Sequence, residues 1–273
     1  MRQRLRARSA ARPMIGRCGV GETMSRRDEP YLAVVNRLAR AQKPAARSSP
    51  AYSRFVNRRL GRYIAAWAYR AGISANGVTA ISAVITFTSI ALLLLFPPSL
   101  WLGAAVGGGL LLGYAFDSAD GQVSRLTGSS SPAGEWLDHM VDATKASTLP
   151  IALAVGFYRF EVVPVAWLLV PLAFAIVSAV LFFCMILTEQ LRRQHGVQSL
   201  APTEPGSASW VRAVLVAPMD YGVLCLSFLL LGWVPGFVVV YTLIVAASTA
   251  FLVLAAVKWF RELDALSAPR AGA

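Results

Sequence analysis

Six apolar runs, each close to the length that crosses a bilayer, constrain this chain more than any other feature. A helix needs roughly 20 apolar residues to span the hydrocarbon core, where only helices and closed barrels satisfy their own backbone polar groups. The runs cover residues 77–96, 100–120, 132–158, 163–188, 214–233 and 236–257. Hydrophobic residues make up 56% of the 273 positions and charged residues 15%, with mean hydropathy +0.56. The expected fold is an all-α integral membrane protein with six transmembrane helices, preceded by an amphipathic interfacial helix. That helix is expected over 53–69, where Phe55, Val56, Leu60, Tyr63, Ile64 and Trp67 interleave with Arg54, Arg58, Arg59 and Arg62. Pro97-Pro98 stops the first run. Gly103, Gly107, Gly108, Gly109 and Gly113 in the second favour close helix contact. Val234-Pro235-Gly236 reads as the tight link between the last two.

Charge sets the expected orientation. Net charge is +12, and 17 of the 26 Lys and Arg residues fall within residues 1–75, against three acids there. Short cytoplasmic segments carry excess Lys and Arg. With the N-terminus inside, Arg125, Arg192, Arg193, Arg212, Lys258, Arg261 and Arg270 are also inside, Arg159 stays outside, and Lys145 lies within the third run. Trp101, Trp167, Trp210, Trp233 and Trp259 fall near run ends, as interface belts do. The expected organisation is a basic, disordered cytoplasmic tail (1–52), a membrane domain (53–262) and a short C-terminal tail (263–273). Residues 1–23 lack the apolar core of a secretory signal. They read as a basic tail or as sequence upstream of a start at Met24. The Ala- and Arg-rich composition suits a bacterial inner membrane, with the acid-rich turn facing the cytoplasm.

Several classes fit less well, a membrane transporter among them as the weaker alternative. The arginines have no accompanying nucleic-acid motif, so no nucleic-acid partner is expected. Cys18, Cys184 and Cys225 are scattered, which suggests neither a zinc site nor a disulfide framework. An ion-coupled transporter would spread its acids through repeated halves. Here they cluster in one turn.

That turn carries the chemistry. Asp117 and Asp120 are three residues apart, Asp138 and Asp142 four, and on helices each pair shares a face. Carboxylates at a membrane are costly and default to function. Gly121, Gly128, three serines and Pro132 are expected to form the turn between the pairs. Clustered hard oxygens suit Mg²⁺ or Mn²⁺, and four carboxylates balance two divalent ions. Two such ions are suited to displacement at phosphorus. Gly121 leaves room for a ligand, and Arg125 can pair with phosphate oxygens. Glu135 reads as an ordinary acid in a helix's first turn, Lys145 as the neutraliser of Asp142 ahead of a holder for an acceptor phosphate, and Asp220 as a helix cap.

The segment resembles the CDP-alcohol phosphatidyltransferase family, whose motif is D-x2-D-G-x2-A-R-x8-12-G-x3-D-x3-D. Asp117, Asp120, Gly121, Arg125, Gly134, Asp138 and Asp142 match, while Ser124 stands where the family usually has alanine. The stretch Ala75-Asn76-Gly77-Val78-Thr79 is similar to the family's entry to its first span. The resemblance implies a transferase in phospholipid biosynthesis. An acceptor hydroxyl attacks the β-phosphorus of a CDP-linked donor, CDP-diacylglycerol in the main branch, and CMP leaves. It implies that Asp117, Asp120 and Asp138 bind metal, that Asp142 is a ligand or the base, and that Gly121 and Arg125 contact the cytidine diphosphate. It also implies a homodimer and a membrane-lipid partner. The stretch Thr127–Asp142 further resembles the choline/ethanolamine phosphotransferase branch, which uses a small-headgroup donor and a lipid acceptor. There the histidine after the third aspartate, here His139, is the proposed base. His139 as base and His139 as a structural hydrogen-bonder both stay open.

Overall fold

The computed structural model describes residues 26–41, 51–197 and 220–267. Expectations for residues 1–25 and 42–50, and for Trp210, Arg212 and Arg270, fall outside these residues; within the expected tail, Tyr31–Arg40 is helical, with Val34, Val35 and Leu38 buried. All regular structure among the described residues is helical: α1 (Tyr31–Arg40), α2 (Arg58–Ala71), α3 (Ala75–Leu95), α4 (Leu100–Thr127), α5 (Pro132–Arg159), α6 (Leu169–Gln194), α7 (Tyr221–Ser227) and α8 (Val234–Ser267). A π-helical turn, Ser53–Asn57, leads into α2, and 3₁₀ turns precede α6 and follow α7.

Among the described residues, four helical segments are long and apolar enough to cross a membrane: Ala75–Leu95, Leu100–Thr127, Val165–Gln194 and Val234–Leu266. The chain is an integral membrane protein. Helix α5 is as long as α4, but Asp138, Asp142 and Lys145 interrupt its apolar character and leave it outside these four. Described residues 220–232 of the fifth expected run form only the shorter apolar segment Tyr221–Gly232.

Local chemistry sets the helix ends. Ser74, Ser99 and Ser131 cap α3, α4 and α5, their hydroxyls accepting from Gly77, Leu102 and Gly134 N–H groups at 3.1 Å each. Pro97 and Pro98 have no N–H to donate, so α3 stops before them. Gly128, at φ +65°, closes α4 in a left-handed cap that Gly adopts without penalty. Helix α4 is therefore 28 residues, about 42 Å long, and outruns a hydrocarbon core of roughly 30 Å. The expectation that Asp117 and Asp120 end the second run, with Gly121 in the turn, is corrected. All three lie inside α4, and the turn is Gly128–Ser131. The hairpin link is likewise Trp233. Val234, Pro235 and Gly236 open α8, because proline suits the first turn of a helix.

Helix α3 packs on both α4 and α5. Small residues allow the approach. Gly109 lies against the Ser89 hydroxyl, Gly113 against Thr86, and Ser82 donates to the Gly113 carbonyl at 2.8 Å. Gly156 of α5 lies directly on the Leu93 carbonyl. Gly103 and Gly107 receive the 3₁₀ turn at Phe228 and Leu229, whereas Gly108 faces open space. The far end of the bundle is an aromatic core of Phe157, Trp167, Phe174, Phe228, Phe237 and Tyr241. Trp167, near the start of the Val165–Gln194 span, is partly buried against this core, stacked on Phe157 and donating to Thr242. Cys225 is buried and Cys184 half-buried.

At the other end, α1, α2, the start of α3 and α4 share a cluster of Val34, Val35, Leu38, Ala65, Val78, Ala119 and Val123. Outward, α2 and its leading turn expose Phe55, Val56, Leu60, Tyr63 and Trp67. Asp220 caps α7 through Gly222 N–H, and its second oxygen accepts from Ser53 N–H, each at 3.0 Å. The expected cap therefore also ties α7 to the entry of α2.

Candidate active site

The last three turns of α4 and the first three of α5 hold the acidic cluster. The long α4 carries Asp117 and Asp120 on one face, three residues apart. Asp120 is buried. Its Oδ2 accepts from Thr79 Oγ1 at 2.6 Å and its Oδ1 from Gly121 N–H at 2.5 Å. On α5, the ligand atoms of Asp138, His139 and Asp142 lie within 4.8 Å of one another.

Lys145 joins the two pairs. From α5, its Nζ lies 2.5 Å from Asp142 Oδ1 and 2.9 Å from Asp117 Oδ1 on α4, with the side chain only 8% exposed. The expected neutralisation of Asp142 extends to Asp117. Tyr221 places its ring 5.5 Å from the same ammonium.

A cavity of about 420 Å³ opens beside the cluster. Asp120, Gly121 and Ser124 from α4 line it with Asn76 and Thr79 from α3, the serine turn 129–131, and Gly134, Glu135 and Asp138 from α5. Asp117, Asp142, His139 and Lys145 are not part of that lining. Two of the sequence-derived carboxylates thus face the cavity and two lie behind it. Arg125 is not part of the lining, but its Nη1 is only 3.3 Å from where a Cβ of the lining residue Gly121 would stand. A side chain at 121 would press on this guanidinium.

Ser124, the departure from the family motif, makes a contact that alanine cannot. Its hydroxyl meets that of Ser130 at 3.0 Å, while Thr127 and Ser129 meet at 2.7 Å. The serine turn is stitched to the end of α4. His139 has Nε2 3.9 Å from Glu135 Oε1 and an edge-on contact with Phe182, and its Nδ1 is buried without a hydrogen-bond partner among the described residues. Glu135 also takes Arg193 Nη1 at 2.9 Å, and Arg192 forms a two-pronged pair with Glu262 at 2.7 and 2.8 Å. Glu135 is therefore an interhelical partner of α6 as well as an acid in the first turn.

Sequence reasoning missed Thr79 and Asn76 as site residues. It noted the pentapeptide 75–79 only as a likeness. Its spacing carried a usable signal, because Asn76 and Thr79 share a helix face.

The donor chemistry fits a hard divalent cation: among the described residues, Asp138, His139 and Asp142 bring two carboxylates and an imidazole within 4.8 Å of one another. The family model for CDP-alcohol phosphatidyltransferase matches residues 72–257. The chain belongs to the CDP-alcohol phosphatidyltransferase family, a class of phosphotransferases that act on CDP-alcohols and generally use divalent metal. Among curated proteins none matches this chain. The matched stretch takes in the whole acidic cluster and the cavity lining, and α1 and α2 precede it apart from the Gly72 cap.

Proposed function

We propose that this protein transfers a phosphatidyl group from CDP-diacylglycerol to an acceptor hydroxyl, with release of CMP, in phospholipid biosynthesis. The observation that carries this reading is the shared cavity wall of Asp120, Gly121, Ser124, Gly134 and Asp138. Four residues that the family pattern spaces along the chain, Asp120, Gly121, Gly134 and Asp138, line one 420 Å³ space, large enough for a nucleotide head group.

In this reading Asp117, Asp120, Asp138 and Asp142 hold Mg²⁺ or Mn²⁺, two ions at full loading. Bound divalent metal supplies charge stabilisation at the diphosphate oxygens. The chain's own residues do the rest. Thr79 and Gly121 N–H orient Asp120. Gly121 lets the diphosphate approach the α4 backbone, and Arg125 pairs with a phosphate oxygen. The acceptor oxygen forms the new bond to the β-phosphorus as the bond from that phosphorus to the bridging oxygen breaks. The electron pair leaves with CMP. The acceptor proton goes to His139, whose imidazole lies within ligand reach of Asp138 and Asp142.

The reading extends to the membrane. Six crossings, with α5 and the segment around α7 added to the four apolar spans, keep the acidic turn on the cytoplasmic side with Arg125, Arg192 and Arg193. The exposed stripe of α2 lies in the interface. Residues 53–262 form the catalytic domain, working as a homodimer.

Crossing donors with acceptors tests the reaction. The purified protein is given CDP-diacylglycerol with polar alcohols, or a small-headgroup CDP-alcohol with diacylglycerol, and the lipid products are identified. Product from the first set alone supports the proposal. Product from the second set alone assigns the protein to the choline/ethanolamine-type branch instead.

A further inference from the structure

We propose that Lys145 is a built-in counter-ion of the acidic cluster, holding Asp117 and Asp142 together before metal arrives and competing with metal for both. The inference rests on reading the cluster as a divalent-metal site.

Three observations lead to it. The ammonium contacts one carboxylate on each helix, 28 positions apart from Asp117 and one turn past Asp142. It is buried, so it is not a solvated surface pair of small worth. Its remaining side lies against the Tyr221 ring, which accepts a cation on its face. The ammonium donates to Asp117 and is ion-paired with Asp142, both carboxylates that the family motif assigns to metal, and the ring lies beside it.

The consequence is electrostatic. Without this charge, Asp117 and Asp142 repel each other across the α4–α5 gap in the metal-free protein. With it, a divalent ion approaching either Oδ1 meets a cation already there. Lys145 therefore stabilises the empty site and weakens metal binding. It acts through the carboxylates, which makes it a positioning residue.

The test uses the full-length chain in detergent, melted in EDTA and across a Mn²⁺ titration. Wild type is compared with K145M, D117N and D117N/K145M. K145M is expected to melt lower in EDTA and to reach half of its Mn²⁺-induced shift at about tenfold lower Mn²⁺. Asp117→Asn should destabilise the wild type, where it breaks a matched pair, yet stabilise K145M, where it removes a repulsion. A purely space-filling lysine cannot reverse that sign. Equal EDTA melting and equal Mn²⁺ response in K145M and wild type overturn the proposal, as does the same sign of D117N in both backgrounds. If K145M fails to fold, recovery in D117N/K145M supports the proposal and failure of both contradicts it. A wild type without any Mn²⁺ response refutes the metal reading instead, and the EDTA comparison still decides the role of Lys145.

Discussion

The Thr79 hydroxyl donates to Asp120 Oδ2 across 2.6 Å, so a residue of α3 fixes the carboxylate that α4 presents to the cavity. Removing it leaves a buried carboxylate oxygen short of one partner. Thr79→Val is expected to cost about 1–3 kcal/mol of stability and to raise the metal concentration needed for activity. Thr79→Ser keeps the hydroxyl and should restore both. Thermal melting and a metal titration of CMP release check this pair.

The Ser124–Ser130 contact predicts a milder outcome. Ser124→Ala restores the residue usual in the family, so turnover should stay within a few-fold of wild type. The serine turn loses one hydroxyl contact, worth about 1 kcal/mol. That turn walls the cavity, so the KM for the CDP donor should rise while kcat holds. Steady-state kinetics of S124A and S130A test the split, and the double variant should be no worse than either single one.

Helix packing gives a contrast between two glycines. A Cβ at Gly156 would strike the Leu93 carbonyl, which is backbone and cannot swing away. Gly156→Ala should therefore destabilise by about 1–3 kcal/mol. Gly108 has open space around it, and Gly108→Ala should be neutral or stabilising by up to about 1 kcal/mol. Melting of the two variants in one detergent measures the difference.

Much of this architecture was legible because periodicity and apolar length are strong signals in a membrane chain. The spans over 77–96 and 100–120 correspond to α3 and to most of α4. The glycines that permit close contact were visible as well, four of the five meeting neighbours. Helix ends were harder to read. Charged residues after Phe116 suggested that the second run was over, yet α4 continues to Thr127 because nothing before Gly128 breaks it. Helix α1 was missed because ten residues with Val34, Val35 and Leu38 as their buried face carry too little pattern to stand out from a basic segment. In the site, the aspartates and His139 were found by type and spacing. Thr79 was not, because a threonine in an apolar run looks like packing until its partner is known. Lys145 was seen as a partner of Asp142 alone, since only the fold brings α4 within its reach.

The two candidate proton acceptors separate by kinetics. His139→Gln should lower kcat by about 10²–10⁴-fold with little change in donor KM, because the imidazole lies outside the cavity lining. Asp142→Asn should alter the metal requirement as well, since it removes a carboxylate from the cluster. Metal titrations run on both variants distinguish a proton acceptor from a ligand.

The central claim is that the α4–α5 acidic cluster performs metal-dependent phosphoryl transfer from a CDP-linked donor. The most direct measurement is CMP release by the purified protein given a CDP-linked donor and an acceptor alcohol, with Mg²⁺ or with EDTA. CMP release is expected with Mg²⁺, none with EDTA, and at least about a 100-fold loss in Asp120→Asn. No CMP from wild type with either CDP-diacylglycerol or a small-headgroup CDP-alcohol, or equal turnover in Asp120→Asn, would contradict it.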